Sequence, residues 1–149
     1  MLRTYPKNSP EAIGRIVAMA MITDAKVDAR EIRALDESGA WTMMGLDRQR
    51  FAVIARDYLR DLSESTPGDA IRLVDVERIN AMLDEIDDRD ARLRACAVML
   101  EIFSADREAA DVEWAVLNHV MKRWGFTPES LRRDLAGLRR RQTRVLSRH

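Results

Sequence analysis

Apolar side chains recur along this chain at helical rather than strand spacing. The run Ile13, Ile16, Val17, Ala18, Met19, Ala20, Met21 and Ile22 is oily around nearly the whole circumference of a helix, and such a helix belongs in the middle of a domain. Ser9 and Pro10 set its start: a serine hydroxyl can accept an orphan backbone N–H, and a proline at the first helical position gives up no needed donor. A second run of the same character extends from Arg92 to Phe103. Between them the spacing predicts three amphipathic helices. They cover Asp28 to Trp41, Asp47 to Leu62 with Phe51, Ile54, Tyr58 and Leu62 on one face, and Asp69 to Ile86 with Val76, Ile79, Leu83 and Ile86 on one face. After the second central run, Val116, Leu117, Val120, Met121 and Trp124 share a face that ends at Gly125, a residue suited to the left-handed conformation that closes many helices. Thr127 and Pro128 then open a last helix carrying Leu131, Leu135, Leu138 and Val145. The expected fold is all-α, a single-domain bundle of about seven helices over residues 1–149. Residues 1–8 form an N-terminal extension in this reading, and residues 131–149 a basic C-terminal helix.

The same order of features occurs twice. Asp24 and Asp106 differ by 82 positions, as do Glu31 and Glu113, whereas the following "GLD" at Gly45 and "GFT" at Gly125 differ by 80. Each half therefore reads as apolar helix, Asp-x6-Glu, amphipathic helix, glycine, apolar residue, cap and further helix, with a two-residue indel between the helices. In a chain with 25 acidic residues one Asp-x6-Glu is weak evidence, but the ordered combination implies a pseudo-twofold helix-turn-helix repeat.

At these residues the sequence resembles the TerB-like family of tellurite-resistance and stress-response proteins. The resemblance rests on an alanine-rich apolar helix leading into "DAKVDARE" (Asp24 to Glu31) and again into "DREAADVE" (Asp106 to Glu113). By organisation it covers most of residues 9–135. The glycine that follows the aspartate in the family is Ala25 in the first copy and Arg107 in the second, and the hydrophobic fourth position is Val27 and Ala109. The resemblance implies a helical domain with paired acidic turns and a role linked to metal or oxidative stress through protein complexes, with no settled enzymatic activity; the expected function is a non-enzymatic one. It also leaves room for a divalent cation at those turns.

Two readings of the turn carboxylates stay open. Asp24, Asp28 and Glu31, and more weakly Asp106, Asp111 and Glu113, are the candidate cation ligands. With only carboxylate and carbonyl oxygens nearby, calcium or magnesium is the fitting guest. Zinc is a poorer one, because neither motif contains His or Cys. On one unbroken helix Asp24 and Glu31 would stand about 10.5 Å apart along the axis, so a shared ion requires a turn between them. The pattern is not that of an EF-hand, whose twelfth loop position would hold glutamate where Leu35 and Leu117 stand. In the other reading Asp28 caps the second helix while Glu31 reaches back to the cap's own N–H. In the second copy Ala110 cannot cap, so Asp111 takes that place and Glu113 becomes the second helical residue, where its charge favours the helix dipole.

Charge is zero overall but unevenly spread. From Leu131 to His149 there are seven arginines and one aspartate, net +6, which leaves −6 on residues 1–130. Arg139, Arg140, Arg141 and Arg144 could contact an acidic protein partner or track nucleic-acid phosphates with steep salt dependence. The spacing of Leu131, Leu135, Leu138 and Val145 instead predicts a helix docked on the body or on a partner helix, with its arginines in water. Cys96, the only cysteine, excludes an intramolecular disulfide and fits a reducing cytoplasm. No segment approaches the roughly 20 apolar residues that cross a bilayer. His119 and His149 lack HExxH spacing, the methionines are scattered over core-like positions, and no phosphate-binding or nucleophile-elbow motif occurs. A hydrolase built on the turn carboxylates thus lacks a nucleophile and a base.

Overall fold

The computed structural model of the chain describes residues 2–22, 29–65, 75–105 and 111–147. They form eight helices and no strand: α1 (Pro10–Ile22), α2 (Ala29–Glu37), α3 (Ala40–Met44), α4 (Arg48–Ser65), α5 (Val76–Leu83), α6 (Arg89–Ala105), α7 (Asp111–Trp124) and α8 (Pro128–Ser147). The starts follow capping chemistry. Ser9 Oγ accepts the Ala12 N–H at 3.1 Å, Asp47 Oδ1 accepts that of Arg50 at 2.7 Å, and Asp88 Oδ2 that of Ala91 at 2.9 Å. Thr127 and Ser130 cap each other reciprocally, hydroxyl to backbone N–H, at 3.0 and 2.9 Å.

The two oily runs become the two central helices. Every residue of α1 from Ala12 to Ile22 is buried, and α6 buries Ala95 through Met99 together with Ile102 and Phe103. α1 and α6 pack on each other, α4 lies along α1, and α8 lies along α6. The connecting arms cross over: α2 and α3 pack on α6, and α7 reaches α1. α7 also packs on α6, so the two arms are not placed alike.

Both halves turn on the same device. Gly45 and Gly125 adopt φ of 77° and 78°, a left-handed conformation that costs an L-residue roughly 1–2 kcal/mol and glycine nothing. The next residue closes a six-residue hydrogen bond, Leu46 N–H to Trp41 O at 3.1 Å and Phe126 N–H to Met121 O at 2.8 Å, which satisfies carbonyls left orphaned at a helix end. Leu46 and Phe126 are both buried, as the accompanying apolar contact of this turn requires.

Two expected helices differ from what is observed. The pattern from Asp28 to Trp41 suggested one helix, but the chain breaks at Gly39, φ 76° and ψ 15°, and restarts as α3. Leu35 and Met44 are both buried, yet nine residues at about 100° each would set them on opposite faces of one continuous helix. The break restores a common face. It also holds the two residues by which the first half exceeds the second, since α7 runs unbroken from Asp111 to Trp124. The helix expected from Asp69 begins at Val76, because Asp75 is extended (φ −127°, ψ 111°) and its carboxylate caps the Glu77 and Arg78 N–H groups at 3.1 and 3.3 Å. Asp69 lies outside the described residues. Val76 is consequently a first-turn residue and exposed, while Ile86 is buried beyond the helix end. No helix among the described residues is long and apolar enough to cross a membrane.

Candidate functional site

The acidic elbows fall between α1 and α2 and between α6 and α7. Asp24, Asp28 and Asp106 lie outside the described residues, as does the side chain of Glu31, whose backbone is in α2. The cation set and the Asp28–Glu31 capping box therefore rest on sequence alone. In the second elbow α7 begins at Asp111 itself, so Asp111 is the first helical residue rather than the cap, and Glu113 is the third rather than the second. Asp111 is exposed, whereas Glu113 is only 1% exposed. Both carboxylates stand in the first turn, where the helix dipole favours negative charge. Among the described residues no group of three or more His, Cys, Asp or Glu side chains is placed to hold a metal ion.

The basic helix is docked. Leu131, Leu135 and Leu138 are buried against the body, while Arg132, Arg133 and Arg140 are exposed. The side chains of Arg139, Arg141 and Arg144 lie outside the described residues. An Arg89–Asp134 ion pair ties α8 to α6, and the Arg89 guanidinium also sits 5.1 Å from the centre of the Phe126 ring.

A charged cluster that local periodicity cannot reveal joins the N-terminal residues to the bundle. Arg15, in the middle of the oily α1, is 2% exposed. Its Nη1 donates to the Arg3 carbonyl at 2.6 Å, its Nη2 pairs with Glu85, and its guanidinium lies 4.6 Å from the Tyr5 ring centre. Arg3 in turn grips Asp61 on α4 through Nε and Nη2, both at 2.9 Å, and Asp57 through Nη1 at 3.1 Å. Glu85 also accepts the Tyr5 N–H at 2.9 Å, and Asn8 Oδ1 accepts the N–H groups of Asp87 and Asp88 at 2.9 and 3.0 Å. The only signal in the sequence is an arginine inside an otherwise apolar helix. Its partners are 12 and 70 positions away.

This cluster makes stability depend on pH in a defined direction. Hydrogen bonding by Arg3 holds the Asp61 carboxyl below the ordinary aspartate range. A folded value below the unfolded one means that the contribution is complete above the ordinary range and is lost as pH falls through the folded value. Thermal unfolding followed by circular dichroism from neutral to about pH 2 should show the wild-type midpoint dropping at the acid end. Asp61→Asn should start a few degrees lower at neutral pH and decline less. Parallel curves for the two proteins would contradict this assignment.

The remaining polar candidates have structural partners. His119 Nε2 lies 2.7 Å from Asn80 Oδ1, and Trp124 Nε1–H donates to the Leu83 carbonyl at 3.3 Å. Burial pushes the Cys96 thiol up to about 12, which keeps it protonated and unreactive. In comparisons with known proteins, no family model, no curated protein and no solved structure matches this chain.

Proposed function

We propose that the chain is a non-enzymatic binding or scaffold protein of TerB-like kind, working in the cytoplasm through a protein partner in a stress response. A divalent cation, calcium or magnesium, modulates it at the acidic elbows. The observation that carries this reading is the crossed packing of the arms. Because α2 packs on α6 and α7 lies against both α6 and α1, an ion that draws in the carboxylates at one elbow moves an arm that touches the opposite half. Asp111 exposed and Glu113 buried in one helical turn put one carboxylate in water and one against the core, a pairing suited to such transmission.

Calorimetric titration with calcium, magnesium, manganese and zinc tests the cation directly. Wild type should take up calcium or magnesium, and Asp24→Asn/Glu31→Gln should weaken that uptake at least tenfold. No heat at millimolar ion would overturn the cation role and leave the carboxylates with capping and helix-dipole roles, a cap contributing about 1 kcal/mol.

A second reading, nucleic-acid or acidic-partner binding through α8, draws on the exposed Arg132, Arg133 and Arg140. Arg132, Arg133, Arg139, Arg140, Arg141 and Arg144 replaced together by glutamine in the full chain should then abolish salt-sensitive binding to duplex DNA or polyglutamate.

A further inference from the structure

An apolar groove of about 470 Å³ runs between α1, α2, α3 and α4. The second half of the molecule carries bulkier side chains at several of the equivalent positions. The repeat offsets of 82 and 80 set Ala18 against Leu100, Ile32 against Trp114 and Ala55 against Leu135. In the second half the Trp114 ring, 38% exposed, packs edge-on against Phe103 with centroids 5.5 Å apart, and Leu135 is buried. The first half carries a smaller side chain at all three positions. Trp41 is larger than its counterpart Met121, but it is turned onto Phe51, edge to face at 5.3 Å, and forms a wall of the groove. Leu59, 44% exposed, stands at the edge.

Charge at the rim selects the occupant. Among the described residues the charged ones lining the groove are Arg48 and Arg56, eight positions apart on α4 and so about 12 Å along its axis. Both are exposed. Arg48 meets Asp36 only at 3.8 Å, and Arg56 meets Asp57 at 3.7 Å while Arg3 already holds that carboxylate at 3.1 Å. Neither guanidinium has a close anionic partner among these contacts, so each can turn to a ligand. The volume falls in the range of roughly 300–1,000 Å³ that takes one small molecule. A stable protein interface needs on the order of 1,000 Å² or more, which is more surface than this groove supplies.

We propose that the groove binds a medium-chain carboxylate, its alkyl tail against Ala18, Ile32, Trp41 and Ala55 and its head at the α4 rim between Arg48 and Arg56. Such binding requires no cation at the elbows. The full-length chain is titrated by calorimetry with decanoate, dodecanoate, decyltrimethylammonium and an acidic amphipathic helical peptide. Decanoate should bind saturably at one per chain, and dodecanoate more tightly by about fourfold per added methylene. The cationic analogue should bind at least tenfold more weakly. Ile32→Trp/Ala55→Leu, which installs the residues of the second half, should abolish binding with helix content retained. Arg48→Gln/Arg56→Gln should bring the preference for carboxylate over the cationic analogue to within about threefold. Should the filled variant lose helix content, the arginine variant decides, because its changes are at exposed side chains. No saturable binding below the micelle concentration, equal binding of the cationic analogue, retention by a folded filled variant, or peptide binding that decanoate does not displace would each overturn the proposal, the last in favour of a protein partner.

Discussion

A chain ending at Ser130 is expected not to fold. The residues it lacks include Leu131, Leu135 and Leu138, which are 3%, 7% and 3% exposed in α8. Burying one leucine contributes about 1.5–3 kcal/mol, so the three together contribute roughly 5–9 kcal/mol, comparable to the whole stability of about 5–15 kcal/mol of an ordinary domain. The Arg89–Asp134 pair goes with them. Circular dichroism and urea titration of the truncated chain should show reduced helix content and no cooperative transition. A truncated chain that unfolds cooperatively at the wild-type midpoint would mean that α8 is an appendage after all. The basic face must accordingly be probed by arginine substitution in the intact protein, since deleting the helix removes part of the core.

Glu85→Ala should cost about 3–5 kcal/mol, because it strands the buried Arg15 guanidinium without its anion. For a chain of this length that corresponds to a fall in midpoint of roughly 6–20 °C. The loss reaches beyond the pair. Glu85 also accepts the Tyr5 N–H, and Arg15 donates to the Arg3 carbonyl, so the N-terminal residues should loosen from the bundle. Arg15→Met/Glu85→Leu should cost less than Glu85→Ala, since removing both charges avoids an unpaired one. Recovery should stay incomplete, because the Tyr5 N–H and Arg3 carbonyl lose their partners in the double variant. Thermal and urea unfolding of the three proteins measures the coupling. A Glu85→Ala protein within 1 kcal/mol of wild type would show that water reaches Arg15.

How much of this could be read from the sequence depends on the range of the interaction. α1 was legible because burial on all sides leaves almost no polar position in its run, and α6 because apolar side chains outnumber the few charged ones in its run. The caps at Ser9, Asp47 and Thr127 and the turns at Gly45 and Gly125 were legible because they are fixed by residues within five positions of each other. The break at Gly39 was hidden, since Leu35, Ala40 and Met44 can be threaded on a helical pattern until their common burial is known. The extended Asp75 was hidden for the same reason. Arg3, Arg15, Asp61 and Glu85 could not be paired in advance: their contacts join residues 58 and 70 positions apart, among 50 charged side chains. Of the six proposed ligand carboxylates, Asp111 and Glu113 can be compared with the fold, and they stand in one helical turn.

Ser38 and Gly39 carry a consequence out of proportion to their size. The half with a break in its arm is also the half that carries the groove, whereas the half with a straight arm sets an indole against Phe103 at the matching position. Two units with the same order of helices and glycine turns thus differ in outline, through two additional residues in one arm and a few differences of side-chain bulk.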